Sequence, residues 1–152
     1  MKKLLFLSIL SLSSIAAPAQ GYNEEKTTLA NFLKRMYNQT KFEGVKIVED
    51  YENKYFISVL SLEKARYQKA SDMYRVAQVK AMRQASEFVN GGTITSDLII
   101  RTTESEDSTK VAVETIERIR SVGFVQGMEL LINFSPADDD AQMVFIYLRK
   151  IE

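Results

Sequence analysis

The segment Met143-Val144-Phe145-Ile146-Tyr147-Leu148 constrains the fold most, because every residue in it is apolar or aromatic. Side chains alternate between the two faces of a strand. Val144, Ile146 and Leu148 therefore share one face, and Met143, Phe145 and Tyr147 share the other. A sheet with one face in water alternates apolar and polar residues. This segment does not, so the sheet that contains it needs cover on both sides.

Two segments carry the spacing of a covering helix. Ala70, Met73, Tyr74, Ala77, Ala81, Ala85 and Phe88 recur at steps of three and four, which predicts a long helix with one buried stripe. Ser71-Asp72 supplies one start and a start near Ser61 is the alternative; Gly91-Gly92 supplies a left-handed stop. Most of the stripe is Ala, which lets a helix approach a sheet closely. Val76, Val79 and Met82 lie off the stripe, so a second surface is expected over part of the outer face. Leu29, Phe32, Leu33, Met36 and Tyr37 form a second stripe, on a helix expected over Glu24 to Tyr37. Asn23 is its candidate cap, and Glu24 and Glu25 sit where the helix dipole favours anions. The short link from Tyr37 to Phe42 turns this helix back beside the sheet, so it is the expected cover for the second face. A second copy of the chain, giving a homo-oligomer, is the alternative.

The remaining segments read as strands. Phe42 to Val48 and Tyr55 to Leu60 flank the polar turn Glu49 to Lys54 and predict a hairpin. Thr93 to Thr103 is a further strand, followed by an acidic turn from Glu104 to Thr109. Val111 to Arg120 fits helix or strand; its Val, Thr and Ile content favours a strand. Val122 to Phe134 is a strand in which Gly123 and Gly127 mark bulges or close approaches. Ser135 to Asp140 is a turn before the final strand. The order α–β–β–α–β–β–β–β predicts an α+β fold. One antiparallel sheet carries the long Ala-rich helix on a face, with the additional N-terminal helix.

The chain has 152 residues, the size of one domain. Residues 1–19 read as a signal peptide: basic Lys2-Lys3, an apolar run from Leu4 to Ile15, then Ala17-Pro18-Ala19 before Gln20. The run falls short of the roughly 20 residues a spanning helix needs, so the mature chain, 20–152, is expected to have no transmembrane segment. Loss of Lys2 and Lys3 from 20 basic residues leaves 18 against 20 acidic, a net charge of −2. A mildly acidic chain without a basic tract has no electrostatic footprint for nucleic acid.

The sequence contains no Cys, His or Trp. That removes disulfides, thiolate chemistry, the usual general base and the commonest transition-metal ligand. Carboxylates cluster at Glu49/Asp50, Glu104/Glu106/Asp107 and Asp138/Asp139/Asp140, all in expected turns. Asp138 to Asp140 lacks the spacing of a calcium loop and reads as a solvated tip. Gly91-Gly92 and Gly123 to Gly127 lack the Lys-Ser/Thr ending of a phosphate loop. Arg75, Lys80 and Arg83 lie on the outer half of the long helix, as a solvated face or a basic ligand-facing stripe. No catalytic, cofactor-binding or metal-ligating residue is assigned, and no cofactor is expected.

The stretch YRVAQVKAMRQASEFVNGGTITS, from Tyr74 to Ser96, resembles the helix-to-strand passage of the Lpp-twenty lipoprotein family and of the N-terminal domain of flagellar assembly protein T. The approach to the last hairpin, Ser121-Val122-Gly123-Phe124-Val125-Gln126-Gly127, is similar as well. The likeness covers Tyr55 to Lys150. This chain lacks the acylated Cys of the lipoproteins, and its first hairpin and N-terminal helix have no counterpart in them. The resemblance implies a helix laid on an antiparallel sheet, an envelope location and no enzyme activity. It carries over no functional residue.

These readings lead to an exported, periplasmic or extracellular bacterial protein that binds or assembles with a protein or envelope component. Two rivals come from other classes. One is a small hydrolase or lyase working through Tyr, Lys or carboxylates. The other is a cystatin-like inhibitor, although Val125-Gln126-Gly127 has the inhibitory hairpin residues in the wrong order.

Overall fold

A computed structural model describes residues 24–91, 98–102, 119 and 127–151. Helix α1 spans Glu24–Gln39, strand β1 Gly44–Asp50 and strand β2 Asn53–Glu63. A single 3₁₀ turn, Lys64–Arg66, leads to helix α2, Ala70–Val89. Strands β3 (Ile99–Arg101), β4 (Glu129–Phe134) and β5 (Gln142–Ile151) complete the described elements. The fold is α+β, with a five-stranded sheet in the order β3-β1-β2-β5-β4.

The central strands β2 and β5 pair from Lys54↔Ile151 to Glu63↔Gln142, and both are buried on both faces. Phe56, Leu60, Leu62, Phe145 and Tyr147 face one core together with Met73, Ala77, Ala81, Ala85 and Phe88 of α2. Tyr55, Ile57, Val59, Val144, Ile146 and Leu148 face a second core with Leu29, Leu33 and Tyr37 of α1. The sheet is thus the middle of three layers, and α1 supplies the cover that the last strand requires. Ser58, fully buried on the α2 side of β2, donates to the Gln84 side chain of α2 at 2.6 Å. That bond removes the cost of an unpaired hydroxyl under the helix.

The sheet departs from the expected all-antiparallel form. β3 pairs parallel to β1, from Ile47↔Ile99 to Glu49↔Arg101. Alternation fixes which face a side chain takes, and is blind to the direction of the strand. The strand expected over Thr93 to Thr103 is Ile99–Arg101 within the described residues. Ile119, the one described residue of the 111–120 stretch, is helical and fully buried, against the strand favoured there. Of the strand expected over Val122 to Phe134, residues 122–126 lie outside the described residues, and the described strand is Glu129–Phe134. Gly127 precedes it with φ 111°, a conformation that favours glycine.

Helix α2 starts at Ala70, after Lys69 in the cap position with no side-chain cap bond, whereas Ser61 lies inside β2. Its C-terminal cap is Asn90 in right-handed conformation, and Gly91 has no positive φ, so the left-handed stop expected there is not at Gly91. Val79 is 61% exposed, so the expected cover over the outer face does not reach it. Val76 instead packs against the core. The signal peptide, the Asn23 cap, Gly92, Gly123 and the turn at 104–109 lie outside the described residues.

Candidate functional site

The carboxylate clusters singled out in the sequence do not converge on one site. Glu49 and Asp50 are the last residues of β1 rather than part of a free turn. Glu49 accepts from Arg101 Nε at 2.8 Å and Asp50 from Thr102 Oγ1 at 2.6 Å, which ties β3 to β1. In the β4–β5 turn the three aspartates serve separate contacts. Asp138 pairs with Lys41 at 2.9 Å, Asp139 accepts from the Ala141 N–H at 3.1 Å, and Asp140 reaches Lys64 at 3.6 Å. The Lys41 hydrogen bond holds the Asp138 carboxyl below its usual range. Among the described residues no group of three or more Asp or Glu is placed to hold a metal ion. Glu104, Glu106 and Asp107 lie outside the described residues.

A first cleft, of about 380 Å³, opens where α1 leads into β1, lined among others by Tyr37, Lys41, Glu43, Ser61 and Asp139. Its polar groups satisfy one another. Ser61 Oγ donates to Glu43, and Lys41 is held by Asp138. Burial, reinforced by the Glu43 charge, pushes the Tyr37 phenol up, so this hydroxyl stays protonated at neutral pH. The arrangement closes the seam between α1 and β2 and leaves little hydrogen-bonding capacity for a ligand.

The β4 edge has a different character. Among the described residues no strand pairs with the outer side of β4. Its sequence, Glu-Leu-Leu-Ile-Asn-Phe, contains neither Lys nor Pro; Glu129 and a bulge are the edge guards it carries. Its pairing with β5 runs from Glu129↔Leu148 to Phe134↔Val144, with an irregularity between Leu130 and Ile132. The extra residue turns Leu131 and Ile132 both toward the α1 core. Leu130, opposite Tyr147, faces the α2 side and is 37% exposed.

Clefts flank this strand on both faces. On the α1 side a space of about 280 Å³ lies between Lys26, Ala30 and Asn31 of the helix and Leu131, Ile132 and Leu148 of the sheet. On the α2 side a space of about 430 Å³ is walled by Ser71, Tyr74, Arg75 and Gln78 above Met128, Leu130 and Tyr147. Glu129 and Leu130 line both. Lys26 and Glu129 form an ion pair, so the α1-side cleft carries balanced charge. Tyr74 packs edge-on against Phe145, ring centroids 5.2 Å apart, which fixes the α2 wall on the core beneath it.

The three basic residues of α2 separate here. Arg83 pairs with Glu87 at 2.7 Å along the helix. Lys80 is exposed. Arg75 alone lines the cleft, and among the described residues it has no hydrogen-bond or ion-pair partner. Spacing along α2 places all three on the outer half of the helix, but which of them meets the sheet edge depends on where β4 lies. The sequence of Glu129–Phe134 carries no signal that marks it as that edge.

Among the described residues no helix is long and apolar enough to cross a membrane. Comparison with protein families, with curated proteins and with solved structures finds no match to this chain.

Proposed function

We propose that the protein is an exported, non-catalytic binding or assembly protein of the bacterial cell envelope, and that it takes an extended segment of a partner polypeptide onto β4. The observation that carries this reading is an edge strand that pairs with no further strand among the described residues and has a cleft on each face. Strand addition uses the main-chain groups of an edge for affinity and pockets on alternate sides for specificity. Among the described residues the β4 edge offers both. The basic, apolar and small-residue order of residues 1–19 supports export. The likeness of Tyr74 to Ser96 to exported lipoproteins supports an envelope location.

Site-specific photocrosslinking in cells tests the reading. A photoreactive residue in place of Leu130, on the β4 edge, is expected to give discrete protein adducts. The same residue in place of Tyr51, which is 82% exposed on the β1–β2 loop, is expected to give none. Equal adducts at both positions, or none at Leu130, defeat the proposal.

A further inference from the structure

We infer that the segment taken by β4 carries an acidic side chain, and that Arg75 reads it. The inference rests on the edge reading above and gives the partner its chemistry. A strand added beside β4 points alternate side chains to opposite faces. Those facing α1 meet Ala30, Leu131, Ile132 and Leu148 around a small cleft whose charges, Lys26 and Glu129, already neutralise each other. Apolar side chains suit that face. Those facing α2 meet Arg75, whose guanidinium has no partner among the described residues. Glu129 lines the same cleft, but its carboxylate is engaged by Lys26. Among the described residues that line the α2-side cleft, the uncompensated charge is therefore positive.

The surroundings make that charge selective. Met128, Leu130 and the Tyr74 and Tyr147 rings line the cleft with apolar surface, and Ser71 and Gln78 add hydrogen-bonding groups beside the guanidinium. A guanidinium offers a planar fork that matches a carboxylate with two parallel bonds. Arg75 is exposed in the free protein, and a segment seated on the edge would draw the pair partly out of water and strengthen the attraction. An extended segment of apolar residues alternating with polar ones, with one Asp or Glu on the polar side, complements both clefts at once.

Short capped peptides of alternating Val and Thr, with Glu, Gln or Lys at the centre, test this by fluorescence titration against the purified protein. The Glu peptide is expected to bind about tenfold more tightly than the Gln peptide, the scale of one charge-assisted hydrogen bond. Arg75→Gln is expected to abolish that preference, and Arg75→Glu to transfer the preference to the Lys peptide. Methylation of alternate backbone nitrogens of the peptide is expected to remove binding through the lost ladder bonds. Equal affinity for the Glu and Gln peptides overturns the role of Arg75 and leaves the edge reading standing. No binding by any unmethylated peptide overturns the edge reading as well. So does a dimer in light scattering that Leu130→Lys returns to monomer, since a second copy then fills the edge.

Discussion

The Tyr55 hydroxyl of β2 donates a hydrogen bond to the Glu25 carboxylate in the first turn of α1. The Asn53 side chain donates to the same oxygen at 2.7 Å. Together they pin the start of the helix to the hairpin end of the sheet. Tyr55 is 2% exposed, and burial first, then the bond to Glu25, hold its phenol well above the ordinary value near 10. Burial also raises the Tyr37 and Tyr147 phenols. A group whose pKa is higher folded than unfolded contributes stability that is complete below the unfolded value and is lost as pH rises through the folded one.

Denaturation midpoints are therefore expected to hold steady to about pH 9 and to fall above about pH 10. Tyr55→Phe is expected to cost about 1 kcal/mol at neutral pH, the scale of one lost hydrogen bond, and to flatten the alkaline decline. Urea titrations of both proteins across this range check it. Parallel alkaline declines would remove Tyr55 from the explanation.

Tyr51 occupies the first position of the two-residue β1–β2 loop with φ 53°. Left-handed backbone costs a non-glycine residue about 1–2 kcal/mol, and its side chain is 82% exposed, so packing returns little. Tyr51→Gly is expected to stabilise the protein by about 1 kcal/mol, the relief of strain outweighing the greater unfolded freedom of glycine. Chemical denaturation reads this directly, and a lower midpoint would show that the Tyr51 side chain matters more than its backbone.

Ala77, Ala81 and Ala85 are fully buried where α2 meets the sheet. A larger side chain there has no space to enter. Ala77→Leu and Ala81→Leu are each expected to destabilise by about 1–3 kcal/mol through overpacking. An unchanged midpoint in both variants would contradict the close contact.

Export is expected to remove Met1 to Ala19, with cleavage before Gln20. The new N-terminal Gln20 is then expected to cyclise to pyroglutamate. Intact mass of the exported protein decides this. A mass that retains the first 19 residues contradicts it.

The sequence made the layers readable and left the edges unreadable, for a physical reason. Burial leaves a periodic trace, so the two faces of Met143 to Leu148 and the Leu29-Leu33-Tyr37 stripe announce a sheet covered on both sides. Strand order and direction leave no such trace. Nothing in Ile99–Arg101 marks its parallel pairing with β1, and nothing periodic in Glu129–Phe134 marks it as an outer strand. The candidate site depends on that missing information. Arg75 becomes distinctive only once β4 is placed beside α2, where Arg83 has turned to Glu87 and Arg75 has no partner among the described residues. The bulge at Leu131 hides the edge further, since it breaks the alternation that would otherwise assign each β4 residue a face.

The strongest test of the three-layer arrangement is removal of α1. Val144, Ile146 and Leu148 are at most 1% exposed on their face of β5, and Val59, Ile57 and Tyr55 continue that face on β2. Leu29 and Leu33 of α1 lie over this surface, and the Tyr37 ring packs against Phe42 and Phe134 with centroids 5.6 Å from each. Deleting residues 24–39 bares a continuous apolar face of a kind that monomeric proteins rarely expose. The shortened chain is expected to self-associate in light scattering or to lose cooperative thermal unfolding. A milder change separates cover from general disruption. Leu33→Ala leaves the helix intact while removing a fully buried side chain, at an expected cost of about 2–5 kcal/mol. If α1 is the cover, both variants lose stability, the deletion more severely. A deletion that remains monomeric with an unchanged melting temperature would mean that something other than α1 shields Val144, Ile146 and Leu148.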